Sequence, residues 1–364
     1  MFRLVFAIAL LTAVGAARLV SADELAQGLA AELLSRTGAP GVAVAYHRDG
    51  AEGLAVAGVR ALGSDTPIEP EDLWHLGSNT KSMTATLVAR LDEAGEIGWD
   101  ATIGETLGAT LPEMDPAYRN VTIRQLLAHR SGLPANLGVL QVLPLVGMAA
   151  DRDLIADRLS YARATLSRPP ESTPGTDYLY SNAGYIVVGA MLEAATGTPW
   201  ETLMAREVFG PLGLTSAGFG PPGTVDALDQ PRGHQGTIAD GLTPMEPNER
   251  ADNVPALGPA GTVHMSASDL LAYLVAHLNA DPSFLSPASW TALHSPEDGH
   301  DYVAGWLALS EGTLLHTGSN TFWYMLVVLW PDRGEALMLA ANAGDIAALD
   351  PAFGEVAWQF AEGG

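Results

Sequence analysis

Apolar positions along the chain follow two different spacings. Helical spacing predicts helices over residues 23–36, 121–128, 154–166, 183–196, 268–279 and about 353–362. Short apolar runs bounded by turn residues predict strands over residues 41–46, 52–59, 302–309, 313–316, 322–329 and 336–341. Strands therefore occur near both ends of the chain, and helical patterns dominate residues 100–215.

This order of elements indicates that the terminal strands pair with one another. We expect an α/β (α+β) domain built from residues 23–95 and 255–364, interrupted by a mainly helical insertion of residues 96–254. Residues 219–262 are rich in glycine and proline, which predicts long irregular connections.

The first 22 residues have the pattern of a secretory signal peptide. Arg3 precedes an apolar run from Leu4 to Val14, and small residues lead up to Ala22. The alternative is an uncleaved membrane anchor, for which this run is short. The chain has no cysteine, so a lipid-modified N-terminal cysteine and disulfides are both excluded. We expect a secreted or periplasmic protein with no stable membrane anchor after cleavage.

The net charge of −24 argues against nucleic acid and anionic lipid as partners. The chain also lacks a His-Glu-x-x-His motif, a glycine-rich phosphate loop and the serine elbow of α/β-hydrolases, and its nine histidines are scattered. We therefore predict no metal and no cofactor.

The strongest candidate chemistry lies at Ser78 and Lys81. Lys81 is the only lysine among the 18 basic residues, and only an amine can lose its proton near neutral pH when it is desolvated. An apolar face at helical spacing follows Ser78, and Gly95 supplies a left-handed stop. Ser78 is thus expected at a helix start, one turn before Lys81, as suits a serine activated by a basic neighbour. The alternative is a helix-capping serine followed by a solvated lysine.

Two further motifs have ordinary structural explanations when each is taken alone. Tyr180-Ser181-Asn182 precedes an apolar helix, where Ser181 or Asn182 would serve as the cap. His316-Thr317-Gly318 ends a predicted strand and is also typical of a strand followed by a turn glycine.

Together, the Ser-x-x-Lys, Tyr-x-Asn and His-Thr-Gly motifs resemble those of the serine β-lactamase and penicillin-binding-protein superfamily. The resemblance is closest to the branch that holds class C β-lactamases, related D-alanyl-D-alanine carboxypeptidases and esterases. Other stretches also look like this branch: residues 126–134, 184–189, 209–214, 259–261 and 266–270. The resemblance implies the β-lactamase/transpeptidase-like fold, an antiparallel sheet flanked by helices.

By this resemblance Ser78 is the nucleophile, Lys81 helps to deprotonate it, and Tyr180 shuttles protons to and from the leaving group. Asn182 would hydrogen-bond Lys81 and the substrate, and the backbone N–H groups of Ser78 and Ser319 would form the oxyanion hole. Thr317 and Gly318 would complete the substrate-binding strand. A lysine and a tyrosine with lowered pKa values could both act as bases at neutral pH.

One residue departs from the pattern of many β-lactamases, which carry Lys-Thr-Gly at the third motif. His316 stands in place of that lysine and is mostly neutral at pH 7, so it binds a substrate carboxylate less well. The departure weakens the case for efficient β-lactam hydrolysis and leaves hydrolysis in general unaffected.

The sequence therefore predicts an exported serine hydrolase that forms an acyl-enzyme on a small-molecule ester, an amide or a peptide. Small esters and D-amino-acid esters or amides rank first, D-alanyl-D-alanine peptides second and β-lactams third. The alternative is a binding protein that recognises penicillin or cell-wall peptide without turnover.

Overall fold

The structure is a computed structural model that describes residues 22–142, 145, 152–297 and 299–363. The predicted signal peptide lies outside the described residues except for Ala22, which begins the first helix. Among the described residues, no helix combines the length and the apolar composition that a membrane crossing requires.

The helices are distributed along the whole described chain. They are α1 Ala22–Thr37, α2 Thr80–Glu93, α3 Ile103–Leu107, α4 Ile123–Leu127, α5 Val139–Val142, α6 Leu154–Leu166, α7 Asn182–Thr196, α8 Trp200–Met204, α9 Gly210–Leu212, α10 Gly258–Gly261, α11 Ala267–Leu278, α12 Pro287–His294 and α13 Ile346–Glu362. The strands are β1 Gly41–Arg48, β2 Ala51–Gly58, β3 Leu73–His75, β4 Gly218–Phe219, β5 His234–Thr237, β6 Gly241–Pro244, β7 Val263–Ser266, β8 Tyr302–Val303, β9 Trp306–Ala308, β10 Leu314–Ser319, β11 Tyr324–Trp330 and β12 Glu335–Ala341.

Seven strands form the main antiparallel sheet, in the order β2-β1-β12-β11-β10-β9-β8. Strand β1 pairs with β12 along its length, from Val42 opposite Ala341 to His47 opposite Ala336. The two ends of the chain therefore meet at neighbouring strands, as the order of elements predicted. The fold class expected from the sequence is confirmed.

The sheet is covered on both faces. Alternate residues of β1 and β12 face opposite sides of the sheet. Because other elements cover both sides, both strands are almost wholly buried. Helices α1 and α13 pack on one face, where Leu33 and Phe353 share a core with Val44 and Leu339. The other face carries α2 and α11 in a larger core that includes Ala43, Leu87, Leu274 and Met338. A sheet covered on both faces explains why these strands appear in the sequence as continuous apolar runs.

Several element boundaries differ from the prediction. The last helix begins at Ile346 rather than near 353 because Asp345 caps it, and Pro351 lies inside it. The single strand predicted over 302–309 is two short strands, β8 and β9, since Ala304 and Gly305 both have positive φ and turn the chain between them. Helix α12 was not predicted; Ser286 caps it and Pro287 occupies its first turn.

Candidate active site

Ser78 lies in a short 3-10 turn, Gly77–Asn79, between β3 and α2. Gly77 has a φ of +51°, and a Cβ placed on it would lie 2.3 Å from the backbone nitrogen of Ser319. A Cβ on Gly318 would lie 2.1 Å from the carbonyl oxygen of Leu76. The turn and the end of β10 are therefore packed backbone to backbone, which only glycine permits at both places. This packing brings the backbones of Ser78 and Ser319 side by side.

The three side chains that the sequence singled out meet at one point. The Lys81 Nζ lies 3.0 Å from the Ser78 Oγ, and the Tyr180 hydroxyl donates a 2.9 Å hydrogen bond to the same oxygen. Helix α2 supplies the lysine one turn after the serine, and the residues just before α7 supply the tyrosine. Ser78 Oγ thus has a basic nitrogen and a phenol within hydrogen-bond distance.

Lys81 is completely buried. Its amine donates a 2.7 Å hydrogen bond to the carbonyl oxygen of Ala260 in α10, and it lies 5.0 Å from the centre of the Tyr180 ring. Among the described residues no carboxylate forms an ion pair with it. Desolvation therefore lowers the pKa of Lys81 well below its ordinary value, as expected of a lysine that acts as a base.

Tyr180 differs from the expectation of a lowered pKa. Burial raises the pKa of the Tyr180 phenol, and the hydrogen bond to Ser78 offsets this only in part. The phenol consequently keeps its proton at neutral pH and is suited to donate it. Between the two groups, only the lysine is suited to act as the initial base.

Asn182 lines the cleft, but among the hydrogen bonds of the described residues none joins it to Lys81. Ser181 caps α7 by accepting from the backbone N–H of Gly184, and Asn182 is the first residue of the helix. The Asn182 side chain donates to the Asn136 side chain at 3.0 Å. The expected hydrogen bond to Lys81 is replaced by the one that Lys81 makes with Ala260.

The third motif lies on β10 at the rim of the site. His316 is buried; its Nε2 accepts from the Tyr302 hydroxyl at 2.9 Å, and its Nδ1 donates to the Thr317 carbonyl oxygen at 2.6 Å. Burial, reinforced by nearby Lys81, lowers the pKa of His316 to about 3. The histidine is therefore neutral and has both nitrogens occupied. Gly318 and Ser319 follow it along the wall of the cleft.

Two cavities meet at Ser78 and together form the cleft. One, of about 330 Å³, has a mainly aromatic and aliphatic lining: Tyr178, Tyr180, Tyr302, Leu307, Leu315, Tyr324 and Ile346. The other, of about 300 Å³, is rich in amides: Asn136, Asn182, Asn253 and Asn320. No lysine, arginine, aspartate or glutamate is among the described residues that line either cavity. The cleft thus joins an apolar side to a neutral polar side.

Sequence reasoning missed three contributors to this site. Ala260 acts through its backbone carbonyl, which has no side-chain signature. Tyr302 occurs in a run that was interpreted only as a strand. His129 has a φ of +57°, accepts from the backbone N–H of Ser181 at its Nδ1, and places its ring 4.3 Å from that of Tyr180. The His129 ring packs against that of Tyr180. No pattern in the sequence indicates its left-handed backbone.

Known proteins are similar to this chain in sequence or in fold. The chain is 28% identical to penicillin-binding protein 4 of Amycolatopsis lactamdurans over 66% of this chain and 60% of that protein. It is 35% identical to esterase EstB of Burkholderia gladioli over 42% of this chain and 40% of the esterase. The chain therefore spans less than two thirds of the length of these curated relatives.

A solved structure of D-amino acid amidase from Ochrobactrum anthropi SV3, complexed with L-phenylalanine amide, has a TM-score of 0.71 to this chain. The two are 22% identical over 93% of this chain and 98% of the amidase, a level of identity at which the likeness shows the fold alone. The sequence model of the family described as Beta-lactamase matches residues 23–352. The resemblance stated from the three motifs is thereby confirmed, and the chain belongs to the β-lactamase family.

Proposed function

We propose that the protein is a serine hydrolase that cleaves ester or amide carbonyls through an acyl-enzyme on Ser78. The observation that carries this proposal is the position of the Ser78 Oγ, within 3.0 Å of the Lys81 amine and 2.9 Å of the Tyr180 phenol. A serine becomes an effective nucleophile when a neighbouring base takes its proton.

The proton transfers follow from the environments of the two neighbours. A neutral Lys81 keeps one N–H on the Ala260 carbonyl and offers its lone pair to the Ser78 hydroxyl. When the Ser78 Oγ attacks the carbonyl carbon, its proton passes to Lys81. Tyr180 then gives its proton to the departing oxygen or nitrogen as that bond to the acyl carbon breaks. Transfer of a proton from Lys81 back to the Tyr180 phenolate restores both groups, and water later hydrolyses the acyl-enzyme.

The backbone packing around Gly77 supports an oxyanion hole. The N–H groups of Ser78 and Ser319 are held on adjoining backbones and would stabilise the oxyanion of the tetrahedral intermediate. Removing one such donor typically lowers kcat by about 100- to 1000-fold, so this packing would contribute several kcal/mol to catalysis.

The lining of the cleft supports uncharged substrates. A peptide that ends in a carboxylate, or a β-lactam, would call for a cation near β10, whereas His316 is neutral and its two nitrogens already have partners. Small esters and D-amino-acid esters or amides are therefore our first choice, D-alanyl-D-alanine peptides the second and β-lactams the third. Membership in a family that includes an esterase relative is consistent with this order. Export to the periplasm or the medium, proposed from residues 1–22, belongs to the same hypothesis.

The proposal is tested with p-nitrophenyl esters of increasing chain length, D-amino-acid p-nitroanilides, a D-Ala-D-Ala peptide and nitrocefin. We expect turnover of neutral esters, its loss in Ser78→Ala, and unchanged turnover in Ser283→Ala, a serine on an exposed turn. Wild-type rates in Ser78→Ala would refute the assignment. A stable penicillin adduct on Ser78 without turnover of any ester would favour the binding-protein alternative.

A further inference from the structure

A buried histidine–aspartate pair lies next to the nucleophile and has no part in the proton transfers described above. His75 ends β3, three residues before Ser78, and its Nε2 donates to the Asp252 Oδ2 at 2.9 Å. The side chains are 0% and 2% exposed. Burying such a pair is unfavourable unless its remaining polar atoms also form hydrogen bonds. The groups that form these bonds identify the parts of the fold that the pair holds in place.

On the histidine side, the pair holds the turn that carries the nucleophile. The Gly77 backbone N–H donates to the His75 Nδ1 at 3.1 Å, which leaves the proton of the neutral ring on Nε2, facing Asp252. Gly77 is the residue with the left-handed φ, directly before Ser78. The imidazole therefore fixes the backbone orientation at the position that sets the Ser78 N–H.

On the aspartate side, the pair holds the end of β10. The Asp252 Oδ1 accepts from the Asn320 side chain at 3.1 Å and from the Asn253 backbone N–H at 2.7 Å. The Asn320 Oδ1 in turn accepts from the backbone N–H groups of Phe322 and Trp323. Because Asn320 directly follows Ser319, these bonds fix the chain at the position that sets the Ser319 N–H.

We infer that His75 and Asp252 are positioning residues that hold the two N–H donors of the oxyanion hole at a fixed separation. The inference rests on the proposed function, since it assigns the supports of the same site. One continuous set of hydrogen bonds runs from Gly77 through His75 and Asp252 to Asn320, the residue directly after Ser319. Without it, the separation of the two backbones would depend on their van der Waals contact and on the separate pairing of β3 with β7 and of β10 with β11. Displacements of about 1 Å can lower rates by about 100-fold.

The test measures how fast a fluorophosphonate probe labels Ser78, followed by intact mass. In this reaction the Oγ–P bond forms, fluoride departs and the serine proton leaves with it. The phosphoryl oxygen would occupy the oxyanion hole, so labelling reports on the hole without requiring turnover. Ester kinetics and thermal melts on the same chains complete the measurement.

Three variants separate the two sides of the pair. His75→Ala loses both contacts, His75→Asn keeps an acceptor near Gly77 but cannot reach Asp252, and Asp252→Asn keeps the shape but alters the hydrogen bonds. We expect labelling to slow by about 10- to 100-fold, most in His75→Ala and less in His75→Asn. For esters, kcat should fall by a similar factor while KM stays within about twofold, because the oxyanion hole acts on the transition state.

The matched control is His264→Asn. His264 is the direct cross-strand partner of His75 on β7, and its Nδ1 contacts the Gly220 carbonyl oxygen rather than the Ser78 turn. Its labelling rate should match that of the wild type.

The inference would be overturned if the folded His75 and Asp252 variants were labelled at the wild-type rate, or if His264→Asn lost as much of its labelling rate as they do. It would also be overturned if the labelling rates of the variants simply followed their melting temperatures, or if the probe did not label the wild-type chain. Should His75→Ala fail to fold, the other two variants decide. A wild-type chain that labels at Ser78 but hydrolyses no ester or amide would refute the proposed function alone.

Discussion

Replacing Lys81 by methionine should slow hydrolysis severely and at the same time stabilise the fold. Methionine fills a similar volume but supplies no base, and losing a general base typically lowers the rate by about 100- to 10,000-fold. The gain in stability has a different origin. The wild-type chain buries an amine that is 0% exposed and whose pKa is lowered by desolvation alone.

The size of the stabilisation follows from the cost of deprotonation. Holding a lysine of ordinary pKa, about 10.4, neutral at pH 7 costs about 4 to 5 kcal/mol, at about 1.4 kcal/mol per pH unit. The methionine leaves the Ala260 carbonyl without its 2.7 Å partner, which costs about 1 to 3 kcal/mol. Lys81→Met should therefore unfold with a free energy about 1 to 4 kcal/mol higher than the wild type at pH 7.

The dependence of this difference on pH is the sharper test. In the proposed mechanism Lys81 is neutral in the fold. Between neutral pH and about 10 the unfolded wild-type chain then binds a proton at Lys81 that the folded chain lacks, so wild-type stability should rise with pH. The methionine variant has no such group. The difference should accordingly shrink by about 1.4 kcal/mol per pH unit, measured by urea denaturation at pH 7, 8 and 9. Ser78→Ala, which keeps the amine, serves as the control and should follow the wild type. A difference that does not change with pH would mean that Lys81 is charged in the fold, and the proposed mechanism would fail.

Two further predictions concern a buried histidine and a tightly packed glycine. Burial lowers the pKa of His294 to about 4, and its ring nitrogen lies 2.9 Å from that of His277. The free energy of unfolding should therefore fall by about 2 to 3 kcal/mol as the pH drops from 6.5 to 4, because the unfolded chain binds a proton that the folded chain lacks. In thermal melts at pH 7, 5.5 and 4.5 the His294→Gln variant should lose less stability than the wild type, and identical profiles would contradict this. Gly77→Ala should lower kcat by at least about 100-fold, because the added Cβ would lie 2.3 Å from the Ser319 backbone nitrogen. The control is Gly95→Ala, at a position that is also left-handed but has open space around the added Cβ; it should cost about 1 to 3 kcal/mol of stability and leave kcat unchanged. Equal effects of the two substitutions on kcat would refute the packing argument.

The local parts of this site were predictable from the sequence and the distant backbone contacts were not. Ser78 and Lys81 are three residues apart, so helical geometry alone brings them together. The contact with Tyr180 spans 102 residues and was reached only through the resemblance to a family. The Lys81–Ala260 and His75–Asp252 bonds span 179 and 177 residues, and the first of these ends on a backbone carbonyl. No pattern of side chains along the chain reports such a partner.

Burial explains the expectation that proved wrong. The sequence predicted lowered pKa values for both Lys81 and Tyr180, yet desolvation penalises the charged form of each. For an amine the charged form is the protonated one, and for a phenol it is the deprotonated one, so the same dry pocket shifts the two pKa values in opposite directions.

Helix α6 was predicted at its observed bounds because Asp153 caps it and its apolar spacing is regular. The division of the chain at residues 95 and 254 into two domains stays a prediction.

The pairing of β1 with β12 affects how the chain reaches its native state. Some 300 residues separate Val42 from its partner Ala341, and β12 is the inner neighbour of β1 in the seven-stranded sheet. During synthesis β1 has no neighbour on that side until the roughly 300 residues that lead to β12 have also been made. A nascent or C-terminally truncated chain would expose an apolar strand edge, which favours aggregation. Formation of the seven-stranded sheet is thus expected to be slow and to be completed only after β12 has been synthesised.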